Sequence, residues 1–68
     1  MPIRYLKTFD DHLLLSLETR AQWQAFARHV PQRFEWRGTH VVKVPPIWAP
    51  ILLSALAQDG QALEEVQL

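Results

Sequence analysis

Sixty-eight residues with no cysteine form one small domain (residues 1–68) that neither disulfides nor thiolate-bound metal can brace. A core of this size supplies only roughly 3–5 kcal/mol, so a second subunit or a partner is the expected support. An apolar fraction of 49% against 21% charged excludes a disordered chain, and a net charge of zero hides a division along the chain. Residues 20–43 hold Arg20, Arg28, Arg33, Arg37 and Lys43 against Glu35, a net of +4, while residues 44–68 carry only Asp59, Glu64 and Glu65, a net of −3. Such a chain can associate with itself or offer its basic patch to an anion. The N-terminus lacks the apolar stretch of a signal peptide, and the longest apolar run falls short of the ~20 residues that span a bilayer. The expected location is the cytoplasm.

Residues 3–8 read as a strand in which Ile3 and Tyr5 alternate with Arg4. Phe9, Asp10 and Asp11 make a turn, and residues 12–17 return as a second strand with Leu13, Leu15 and Leu17 facing the core. One helix over residues 11–30 fails on phase. At 100° per residue, Leu13, Leu14, Leu17 and Ala21 fall on one side, and Trp23, Phe26, Ala27 and Val30 nearly opposite. Thr19 followed three residues later by Gln22 is a capping box. It starts a helix over residues 20–29 whose expected apolar face is Trp23, Phe26, Ala27 and Val30, stopped by Pro31.

Phe34 and Trp36 then alternate with Arg33, Glu35 and Arg37 as a half-buried strand, Gly38 and Thr39 turn, and residues 41–44 form a β-branched return strand. Pro45 and Pro46 end ladder pairing and force an elbow. Pro50 belongs in a first helical turn, which sets a helix over residues 48–58 with Gly60 as its stop and an apolar face of Trp48, Ile51, Leu52, Ala55 and Leu56. Residues 62–68 fit an edge strand or a short helical turn. The order, approximately (β)βαββαβ, predicts an α+β domain in which two helices cover one face of a mostly antiparallel sheet. From His12 onward it is the order of a ferredoxin-like fold.

Two stretches are candidate contact surfaces. The hairpin gathers Arg33, Arg37, His40 and Lys43 around Trp36, cations with an aromatic on which a base could stack. The elbow sets Pro46 beside Trp48, a rigid apolar anchor of the kind that forms interface hot spots. Residues 37–44, RGTHVVKV, are similar to the start of the ribonucleoprotein octamer of RNA-recognition motifs, with Thr39, Val41 and Val44 where that family places aromatics. Residues 19–60 resemble in order the HicA-type messenger-RNA-cleaving toxins: helix, strand, Arg37-Gly38-Thr39-His40, strand, proline and a leucine-rich helix ending at Gly60. That resemblance implies that Gly38, Thr39 and His40 stand for the family's Gly-Ser-His motif and that His40 is the functional histidine. Thr replaces Ser here, and the family's extra strand with its basic turn is missing.

His12, His29 and His40 lie 17 and 11 residues apart, which matches no helical or hairpin metal site. With two glycines there is no Gly-rich phosphate loop. No residue is assigned a catalytic role, and no cofactor or metal is expected. The sequence favours a non-enzymatic protein-interaction module, an adaptor, inhibitor or regulatory subunit, acting as a homo-oligomer on another, acidic protein. Nucleic-acid binding through residues 33–43 is the alternative.

Overall fold

The computed structural model describes residues 1–30 and 34–66, with Glu35 described by its backbone. Its elements are β1 (Ile3–Lys7), β2 (Leu13–Ser16), α1 (Arg20–His29), β3 (Glu35–Arg37), β4 (Val41–Val44), α2 (Ala49–Gln58) and β5 (Leu63–Glu65). The strands form one sheet in the order β3-β4-β2-β1-β5, antiparallel throughout except where β5 joins β1. This is the expected α+β architecture, and within the C-terminal segment residues 63–65 take the edge-strand option.

β2 and β3 run parallel with β4 between them, and β4 and β5 run parallel with β2 and β1 between them. Each helix therefore closes a split βαβ unit. From β2 onward the connectivity is the ferredoxin-like one, and β1 is the addition, wedged between the two strands that such a sheet would pair directly. Among the described residues, no helix is long and apolar enough to cross a membrane.

The pleat's period of two decides where the core forms. Ile3, Leu13, Leu15, Val42 and Val44 share one face and are fully buried. Ala25 and Phe26 from α1, with Ala49, Leu52 and Leu56 from α2, join them in one cluster, so both helices lie on that face. Burying one such aliphatic side chain contributes about 1.5–3 kcal/mol. Among the described residues, no helix lies on the opposite face.

Both helices are turned relative to the expected apolar faces. In α1 the inward residues are Gln22, Ala25 and Phe26, while Trp23 and Ala27 are exposed, a rotation of roughly 100°, or one residue. The capping box accounts for the turn. The Thr19 hydroxyl accepts the Gln22 amide at 3.1 Å, and Gln22 Oε1 accepts the backbone N–H groups of Glu18 at 2.9 Å and Thr19 at 3.3 Å. Gln22 Nε2 donates to the Met1 carbonyl at 2.7 Å. A glutamine only 2% exposed thus satisfies its polar atoms and fastens the start of the chain to the start of α1.

In α2 the contact line is Ala49, Leu52 and Leu56, with Trp48 and Ala55 at its margin and Ile51 turned outward. The elbow sets this phase. The Trp48 and Ala49 amides donate to the Pro45 carbonyl at 3.0 and 3.1 Å, and Pro50 fits the first turn, where its missing N–H is no loss.

Candidate interaction surfaces

Alternation along β3 and β4 divides the hairpin between two faces. Trp36 pairs with Val42, on the helix side. Its ring stacks on Trp23 with centroids 6.2 Å apart and 12° between planes, and meets Phe26 edge-on at 6.3 Å. Arg37 pairs with Val41, and Lys43 pairs with Leu14, on the uncovered side. The pleat therefore keeps the tryptophan and these two cations apart. Arg33 lies outside the described residues.

Gly38, at φ 87°, supplies the left-handed residue of the turn between β3 and β4. A Cβ there would meet no atom within 4 Å, so glycine is favoured by backbone conformation and not by space. His40 is exposed beside that turn. Its carbonyl accepts the Leu17 amide at 2.8 Å, which anchors the loop to the end of β2, and its ring nitrogen Nδ1 lies 3.3 Å from the hydroxyl of Thr39.

The elbow presents a different surface. Trp48 is half-buried, its ring edge-on to Phe34 at 6.0 Å and packed against the core. The outward apolar residues are its neighbours, Ile47 at 76% and Ile51 at 54% exposure, flanked by exposed Pro46 and Pro50. Because Leu13 pairs with Val44, the β1–β2 turn and the elbow share one end of the sheet. That turn carries Phe9, fully exposed, and Asp11 at φ 66°. Lys7 at the end of β1 and Asp11 from the turn join Pro46, Ala49, Pro50 and Leu53 around one depression of about 380 Å³.

Two carboxylates are held below their usual range. The hydroxyl of Thr8 donates to Asp10 and lowers its pKa most, with lesser help from the His12 amide and ring. The ring of His29 donates to Asp59 at 2.7 Å and is the main cause of its lowered pKa, opposed by desolvation and aided by Arg28 at 3.2 Å. The His29 and Arg28 contacts fasten the end of α1 to the end of α2. Among the described residues, no three His, Asp or Glu side chains converge as a metal site requires.

Sequence reasoning placed the anchor of the elbow at Trp48 and missed Ile47, Ile51 and Phe9. The signal for Ile47 was present, since a residue between Pro46 and the first helical turn has no ladder or helix to bury it. Compared with family models, curated proteins and solved structures, the chain matches none.

Proposed function

We propose that this chain is a small non-enzymatic protein–protein interaction module, an adaptor, inhibitor or regulatory subunit that acts in the cytoplasm as an oligomer. The observation that carries the reading is the outward pair Ile47 and Ile51 on a frame stiffened by Pro46 and Pro50. Large apolar side chains grouped on a rigid frame form the centre of a contact, because little conformational freedom is lost on docking. Phe9, at the same end of the sheet, is a further fully exposed apolar side chain. Of the hairpin cations, Lys43 stands next to the end of β4 that leads into the elbow, where a cation raises the association rate with an acidic partner, while Arg37 and His40 lie at the far end of that strand.

Capture of partners from cells that make the protein tests the reading, with Ile47→Asp as the comparison. Ile47 packs against nothing in the core cluster, so this substitution leaves the fold intact, whereas Trp48→Ala would also loosen the packing against Phe34. A protein held by the wild type and released by Ile47→Asp is the expected result. Binding of single-stranded RNA that disappears in Arg37→Glu/Lys43→Glu, with protein capture indifferent to Ile47, would favour the nucleic-acid alternative.

A further inference from the structure

We propose that the uncovered face of the sheet docks a second copy of this chain, back to back, about a two-fold axis running along β2. This rests on the oligomeric part of the reading above and is separate from the elbow. The face is built by the residues that alternate with the core. Strand register sets Arg37, Val41, Ser16, Arg4 and Glu64 in one row across all five strands. Leu6, Leu14 and Lys43 follow in the next row. Leu6, Leu14 and Val41 are half-buried, and with Val66 they line a shallow depression of about 290 Å³. Both helices pack on the other side, so the apolar centre of this face lacks the second layer that a sheet face of this kind buries itself against.

Charge selects the occupant and its orientation. The first row runs from a cation on β3 to a carboxylate on β5. A two-fold axis along β2 reverses the strand order, so β3 of one copy lies over β5 of the other. Arg37 then faces Glu64 of the second copy, twice, and Leu14 and Ser16 on the central strand meet their own equivalents. An axis across the strands would instead set Arg37 over Arg37, and like charges brought together oppose association. Glu64 is 3.6 Å from Arg4 in its own chain, with both side chains more than half exposed, which leaves carboxylate surface for a second guanidinium. Sheets packed face to face sit about 10 Å apart and within about 30° of aligned. Leu6 and Leu14 fill that gap, with the apolar stem of Lys43 laid along Leu6. Such a contact is isologous and closes at two copies.

Sedimentation equilibrium of the purified chain tests the proposal. The wild type is expected to be a dimer, and Leu14→Lys a monomer with an unchanged far-ultraviolet circular dichroism spectrum. Arg37→Glu and Glu64→Arg should each weaken the dimer on the order of 100-fold. A one-to-one mixture of those two chains should restore it, because both contacts in the mixed pair again join opposite charges. A wild-type monomer across the accessible concentrations overturns the proposal and leaves the elbow reading standing. A dimer that survives Leu14→Lys, a dimer lost in Ile47→Asp instead, or a mixture no tighter than its parts also overturns it.

Discussion

The indole rings of Trp23 and Trp36 lie stacked, 6.2 Å apart and 12° from parallel, and tie the three-residue edge strand β3 to α1. Aromatic pairs of this kind contribute about 0.5–1.5 kcal/mol beyond their buried area. A double-mutant cycle on Trp23→Ala and Trp36→Ala, read by thermal denaturation, should give a coupling in that range. In a domain of this size each kcal/mol moves the midpoint by about 4–8 °C. Strictly additive losses would show that the two rings do not support one another.

Asp59 gives the fold an acid-sensitive clasp. Its folded-state pKa lies below the ordinary 3.8, chiefly because the His29 ring donates to it. A depressed carboxyl pKa contributes stability that is present above the unfolded-state value and is lost as pH falls through the folded-state value. The wild type should therefore lose this contribution below about pH 4, and Asp59→Asn should lack it at every pH. Denaturation midpoints of the two chains should differ at neutral pH and converge in acid. A constant difference down to the acid limit would contradict the assignment.

Gln22 is the one buried polar side chain among the described residues. Gln22→Ala leaves the Met1 carbonyl and the Glu18 and Thr19 amides without their partner, and each such group costs about 1–3 kcal/mol if it stays dry. Thr19→Ala removes only a cap, worth about 1 kcal/mol. Chemical denaturation should rank Gln22→Ala as the more damaging of the two.

The phase of α2 makes a sharper contrast between adjacent residues. Leu52 is fully buried and Ile51 faces outward. Leu52→Ala should cost about 2–5 kcal/mol, comparable with the whole stability of so small a core. Ile51→Ala should change stability by no more than about 0.5 kcal/mol. Equal losses would mean that the helix sits in the phase expected from its apolar residues alone.

Local chemistry made most of the fold legible. The capping box at Thr19 and Gln22, the turn at Gly38, Pro50 in a first turn and the alternation of Leu13, Leu15 and Leu17 each act within a few residues, and each placed its element. The helix faces were less legible, because hydrophobicity alone put Trp23 and Ile51 inward. A glutamine with three backbone partners and an elbow fixed by the Pro45 carbonyl instead set the phases. The bond between His29 and Asp59 joins residues 30 apart and has no local signature. The hairpin's charges were legible as a cluster along the chain. Only strand register shows that Trp36 and the cations Arg37 and Lys43 occupy opposite faces.

Comparative capture by wild-type and Ile47→Asp chains of equal helical content tests the interaction reading most directly. The account predicts at least one protein held by the wild type and absent from the Ile47→Asp eluate. Identical eluates from the two chains would contradict it.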